Sequence, residues 1–137
     1  FHRLVFNIKR LIEKLPFGKR RIASYAAALY LIKENTGMSD EGILKIFENL
    51  EGYEFDMNLQ ESSWLLNSEG KLHPGHYTLC QDVPLASTGE FRALRGTKVD
   101  VLEATSPAGF FSGMPIFKVK HRETNQIVCI STEDINR

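Results

Sequence analysis

The chain is poor in cysteine and has no long hydrophobic run, and each shortage excludes a class of protein. Cys80 and Cys129 are the only cysteines among 137 residues, too few for a small secreted domain held together by disulfides. We therefore expect a reducing, cytoplasmic location. The most apolar stretch, residues 22–32, is interrupted by Ser24 and is shorter than the roughly 20 apolar residues that a membrane span requires. We expect no association with a membrane.

Catalytic motifs are missing as well. The chain has no glycine-rich phosphate-binding loop, and Ser112 lies in a Phe-Ser-Gly sequence instead of the G-x-S-x-G turn of many hydrolases. The carboxylates are clustered on predicted helix surfaces, which is typical of solvated faces. The sequence thus predicts a protein that is not an enzyme and has no cofactor. The alternative is an enzyme whose site leaves no signature in the sequence.

A few side chains have the chemistry of zinc ligands. Two imidazoles and two thiols could complete a tetrahedral site, and they belong to His73, His76, Cys80 and Cys129. Their spacing differs from that of known zinc fingers. Histidines in a loop are usually exposed to solvent, and cysteines on strands usually pack in the core. We therefore predict no metal site.

The net charge is zero, but the charges form two blocks. Up to Lys33 there are eight basic residues and one acidic residue, whereas residues 34–70 contain nine acidic residues and one lysine. The two blocks can neutralise each other within the fold. The alternative is a basic corner that contacts the phosphates of a nucleic acid. Its candidate residues are Arg10, Lys14, Lys19, Arg20 and Arg21.

Apolar residues recur at helical spacing in the first 52 residues and predict three helices. The first helix spans about residues 3–15 and ends before Pro16. The second spans about residues 19–35 and is apolar on nearly every side, so it should be the most buried helix. The third follows Ser39, a favourable N-cap residue, and ends at Gly52.

The C-terminal half has the short runs and frequent turns of β-structure. Strands are predicted within residues 76–85, 96–105, 116–121 and 126–131. A hairpin turn is predicted at Thr124-Asn125, between the last two of these runs. Residues 53–72 show an alternating extended run but no clear boundary of a long element, which indicates a connecting segment.

The order of strands and turns from Tyr77 to Ile135 resembles that of SH3-like barrels. The resemblance is carried by residues 95–102, 117–120, 124–130 and 133–135. The Ala-Leu-Tyr-Asp-Tyr motif and the paired tryptophans of signalling SH3 domains are missing, so the resemblance does not imply binding of proline-rich peptides. The predicted fold is α+β, with a three-helix domain (residues 1–52), the connecting segment (53–72) and an SH3-like antiparallel β-barrel domain (73–137) packed together.

The segment from Ala104 to Pro115 is the most informative for function, because it is predicted to be a long loop and yet has no charge. It contains Phe110, Phe111 and Met114 among small residues and prolines, and such side chains are typical anchors of protein interfaces. Neighbouring residues of an extended backbone point in opposite directions, so one ring should face solvent while the other holds the loop. The alternative is that the loop packs on the helical part.

These observations predict a non-enzymatic protein that binds another macromolecule. We expect a protein partner, and an adaptor, inhibitor or assembly component as the role. The predicted contact residues are Phe110, Phe111 and Met114, with Phe6 on the polar face of the first helix. The alternative is a nucleic-acid-associated accessory protein that uses the basic corner.

Overall fold

A computed structural model describes the backbone of residues 18–48, 53–56, 65–90 and 92–137, and the side chains of residues 26–45, 65–90 and 92–137. The N-terminal elements are β1 (Gly18–Arg21), α1 (Ile22–Thr36), α2 (Asp40–Glu48) and β2 (Tyr53–Asp56). The C-terminal elements are β3 (Gly75–Leu79), β4 (Lys98–Val101), β5 (Gly109–Phe111), β6 (Met114–His121), β7 (Ile127–Ser131), a short 3-10 helix (Thr132–Asp134) and β8 (Ile135–Asn136).

Strands β3 to β8 form one antiparallel sheet of six strands. The long strand β6 is its centre: β7 pairs along one edge, while β5 and β4 pair with the two halves of the other edge. β3 continues the sheet beyond β4, and β8 pairs with β3. β1 and β2 form a separate parallel pair.

The two helices begin and end where local chemistry requires. The positive φ of Gly37 (70°) ends α1, because a left-handed residue favours glycine. The Gly37 N–H donates to the Lys33 carbonyl at 2.9 Å. Ser39 caps α2 as predicted, since its Oγ accepts the Gly42 N–H at 3.1 Å.

An apolar cluster packs on each face of the sheet. On one face, α1 packs on Phe111, Met114, Ile116 and Cys129, with Ile43 and Leu44 of α2 in the same cluster. On the other face, Tyr77, Phe117 and further strand residues pack against apolar side chains from residues 65–93. Every residue from Ala26 to Ile32 is buried, which confirms that the second predicted helix is the most buried helix of the described chain.

The predicted three-helix part with an SH3-like barrel is wrong. Among the described residues there are two helices and not three, and residues 18–21 form a strand beside β2 instead of the start of α1. The first predicted helix, with Phe6, Arg10 and Lys14, lies outside the described residues. The sheet does not close into a barrel, because β5 and β8, the strands at the two ends of the strand order, do not pair with each other. Hydrogen bonds from α1 side chains to β5 also occupy the edge where closure would occur.

Within the described ranges, neither α1 nor α2 is long and apolar enough to cross a membrane.

A buried carboxyl joins the 3-10 helix to the segment that follows β3. Asp134 is 2% exposed and accepts the Ser131 N–H at 2.7 Å. Its carboxyl also lies 3.0 Å from Ser131 Oγ and accepts a hydrogen bond from the Gln81 amide. Burial raises the pKa of Asp134 to about 7, although the hydrogen bonds from Ser131 and Gln81 act in the opposite direction.

This carboxyl should make the protein less stable as the pH rises from 4 to 7. The unfolded chain releases the proton near pH 4, whereas the folded chain holds it until about pH 7. The free energy of unfolding should therefore fall by up to about 1.4 kcal/mol per pH unit across this interval. Urea unfolding at pH 5, 6 and 7 measures the slope. Asp134→Asn should flatten it, and parallel profiles for the two proteins would show that the folded chain does not retain this proton.

Candidate functional site

The segment that the sequence predicts to be a loop contains a β-hairpin. Phe111 pairs with Met114 across a two-residue turn, in which Ser112 and Gly113 have positive φ angles of 48° and 82°. Positive φ at both central positions is typical of the turn that matches the twist of a hairpin. The Ser-Gly pair was the sequence signal for this turn. The uncharged segment is therefore an ordered part of the sheet.

The hairpin places its two phenylalanines on opposite faces. Phe111 is fully buried and Met114 is 4% exposed, and both pack against α1. Phe110 is 53% exposed and lies opposite the half-buried Pro115. The prediction that one ring faces solvent while its neighbour anchors the segment is thus confirmed. The burial of Phe111 and Met114 against α1 agrees with the alternative in which the segment packs on the helical part.

Side chains of both helices hold the hairpin in place. Tyr30 donates a hydrogen bond to the Ala108 carbonyl at 3.0 Å, and Lys33 Nζ donates to the Phe110 carbonyl at 3.0 Å. At the turn, the Ser112 N–H donates to Asp40 Oδ2 at 2.9 Å. Polar contacts from α1 and α2 therefore fix the backbone on both sides of Phe110.

The approach of α1 to the hairpin is so close that it requires a glycine. A Cβ on Gly109 would lie 2.5 Å from the Tyr30 ring and 2.6 Å from its hydroxyl oxygen. Real Cβ atoms do not come this near to other heavy atoms, so any larger residue would displace Tyr30 and its hydrogen bond to Ala108. Gly109 thereby sets the position of Phe110, the next residue in the chain.

The ionisable groups of these contacts are in the states that the hydrogen bonds need. Burial and the neighbouring Glu34 raise the pKa of Tyr30, so its hydroxyl stays a donor. Burial acts to raise the pKa of Asp40, but Lys33, with Nζ 2.8 Å from Oδ1, and the Ser112 N–H hold it below its usual value. Asp40 is therefore an ionised acceptor at neutral pH.

The same contacts close the outer edge of β5 to another strand. Tyr30 and Lys33 occupy the carbonyls of Ala108 and Phe110, which a peptide added along this edge would need as acceptors. Covering an edge strand in this way is a common protection against association through the backbone. A partner at this site would therefore contact the Phe110 side chain and not the β5 backbone.

Three residues of the basic corner, Lys19, Arg20 and Arg21, lie in β1 beside β2. Lys19 and Arg21 of β1 are in register with Glu54 and Asp56 of β2, and Arg20 is in register with Phe55. The end of the basic block thus meets part of the acidic block in one ladder. Mutual neutralisation of the two blocks stays a prediction.

The side chains with the chemistry of zinc ligands have other surroundings. Cys129 is fully buried, and its thiol donates to the Ala27 carbonyl at 3.6 Å. Burial raises the pKa of both Cys129 and the half-buried Cys80. His76 Nδ1 lies 2.7 Å from Asp100 Oδ1. Among the side chains that the structure describes, no three of His, Cys, Asp or Glu are placed to hold a metal ion.

Comparisons of the chain with protein-family models, with curated proteins and with solved structures found no match. The resemblance of residues 77–135 to SH3-like domains therefore stays a prediction. The function has to be argued from the hairpin and its surroundings.

Proposed function

We propose that the protein is a non-enzymatic protein-binding module that uses Phe110 as the anchor of its interface. The observation that carries the proposal is an aromatic ring, 53% exposed, on a backbone held by Tyr30, Lys33 and Asp40. A ring whose backbone is already fixed loses little conformational entropy on binding, and preorganisation of this kind strengthens association.

The surroundings of the ring indicate the chemistry of the partner. No charged residue occurs from Ala104 to Phe117, and Pro115 lies opposite Phe110 on the same face. A complementary surface would be an apolar pocket that accepts one aromatic ring, with polar groups at its rim. The role of adaptor, inhibitor or assembly component fits a module with one such anchor. The free thiols of Cys80 and Cys129 support a reducing cytoplasmic location.

Site-specific crosslinking tests this proposal. A photoreactive phenylalanine analogue at position 110, in the full chain expressed in its native host, should crosslink to a defined protein. The matched control places the same analogue at Leu102, which is 84% exposed and lies just beyond β4. The crosslinked protein is then purified and its affinity measured for wild type and Phe110→Ser. Equal crosslinking at both positions, or an unchanged affinity of Phe110→Ser, would contradict the proposal.

A further inference from the structure

Neither of the described helices lies over one half of the α1-facing side of the sheet. Ile116 and Cys129 lie under α1. Lys120 points to the same side of the sheet, two residues beyond Lys118, the β6 partner of Cys129, and is exposed. The register places Asp100 beside Lys120 and His76 beside Asp100, so these three residues form one row across the strands. A second row contains Lys98 beside Thr78, and Thr78 beside Asn136. We call this exposed area the cationic face; it comprises His76, Thr78, Lys98, Asp100, Lys120, Arg122 and Asn136.

Positive charge predominates on the cationic face. Lys98, Lys120 and Arg122 are exposed cations, and Asp100 is the only carboxylate within the two rows. The formal charge of the cationic face, with Arg122 included, is therefore +2 with His76 neutral, and Glu123 in the adjoining turn reduces it by one. By contrast, the charge of Lys118, at the border with α1, is balanced by Glu34, whose Oε1 lies 2.8 Å from Lys118 Nζ.

Asp100 orients the cations that surround it. Its Oδ1 lies 2.9 Å from Arg122 Nη2 and 2.7 Å from His76 Nδ1, and its Oδ2 accepts from Arg122 Nε at 3.2 Å. These hydrogen bonds lower the pKa of Asp100 to about 2. A guanidinium has five N–H donors, so Arg122 keeps others for a ligand. The second ring nitrogen of His76 is likewise not engaged by Asp100, and His76 is 76% exposed.

We propose that the cationic face binds the sugar-phosphate backbone of a nucleic acid. Lys98 and Lys120 are diagonal neighbours on adjacent strands, which places their Cα atoms about 7–8 Å apart. With Arg122, they present several donors and positive charges to one polyanionic chain. Backbone contacts of this kind come from lysine, arginine and neutral hydrogen-bonding side chains, and they carry no sequence information.

A protein partner fits the cationic face less well. The cores of protein interfaces are depleted in charge and enriched in aromatic residues, whereas the two rows contain no aromatic ring apart from the imidazole of His76. Ile127, which pairs with Lys120 and is 43% exposed, is an apolar side chain at the border of this face. This surface is separate from the residues around Phe110, so the proposal does not depend on the proposed protein-binding function.

Titration of the full chain into a fluorescent 20-nucleotide oligothymidine, and into a duplex of 20 base pairs, tests the inference. At 20 mM KCl we expect binding in the range of about 1–100 µM that is typical of non-specific contacts, and we expect it to weaken steeply with salt. Lys98→Ala/Lys120→Ala should weaken binding at least tenfold. It should reduce the slope of log K against log salt by about 0.7 per lysine for the single strand. Lys120→Ala alone should weaken binding without a change in melting temperature, because the exposed Lys120 side chain makes no hydrogen bond or ion pair with the described residues.

The matched control is Lys45→Ala/Lys71→Ala, which removes two lysines elsewhere on the surface and should leave binding within twofold of wild type. Three results would overturn the inference. One is no binding of either oligonucleotide at 20 mM KCl, and the second is equal loss in the control variant. The third is binding of polyglutamate or of phosphatidylserine vesicles, sensitive to Lys98 and Lys120, without binding of either oligonucleotide.

Discussion

Leu29→Ala is expected to lower the free energy of unfolding by roughly 2–5 kcal/mol, the range for removal of a buried leucine side chain. Leu29 is fully buried and lies in the cluster that joins α1 to α2 and to the sheet. Because the residues on every side of it are also buried, the surroundings cannot relax easily into the cavity. Equilibrium unfolding in urea gives the value, provided that the transition has two states.

Leu102→Ala is the matched control, since it removes the same atoms from a side chain that is 84% exposed. Its effect should stay within about 0.5 kcal/mol. If the two variants lost the same stability, α1 would not be the centre of this core.

Phe111→Ser and Phe110→Ser should have opposite effects on stability and binding. Phe111 is fully buried beneath α1, and loss of a buried phenylalanine costs about 3–5 kcal/mol. Phe110→Ser should cost less than about 1 kcal/mol, because the ring is half exposed and its neighbours Gly109 and Phe111 keep the hairpin in place. The proposed anchor would be lost all the same, and an interface anchor can contribute 2 kcal/mol or more.

Thermal melts of both variants and the affinity of Phe110→Ser for the crosslinked partner provide the comparison. A large loss of stability in both variants would make Phe110 a structural residue. No change in affinity for Phe110→Ser would exclude it as the anchor.

The sequence pattern located most of the elements whose signals are local. β4 and β7 lie within predicted strand runs, β6 begins two residues before its predicted run, and Ser39 precedes α2 as expected. β1 was missed because residues 19–21 were predicted to begin the second helix, and the partner strand β2 begins 35 residues after β1. No local signal reveals such a parallel pairing. β5 was missed because three residues between prolines and glycines are too short for a periodic pattern.

The site shows the same division between local and distant interactions. Opposite orientations of Phe110 and Phe111 follow from the alternation of an extended backbone, and this part could be predicted. The residues that hold the hairpin could not, because Tyr30 and Ala108 are 78 residues apart and Lys33 and Phe110 are 77 apart. The predicted barrel failed for a similar reason: closure depends on which strand ends meet, and neither propensity nor turn chemistry determines that.

The distance along the chain between α1 and its sheet has a consequence for synthesis on the ribosome. The Ala27 carbonyl of α1 accepts a hydrogen bond from the thiol of Cys129, 102 residues later. At translation rates of about 5–20 residues per second, roughly 5–20 s separate the synthesis of these two residues. During that interval the apolar surface of α1 has no sheet to cover it. The nascent chain is therefore expected to depend on chaperones until β7 emerges, and strains depleted of ribosome-associated chaperones should accumulate it in aggregates.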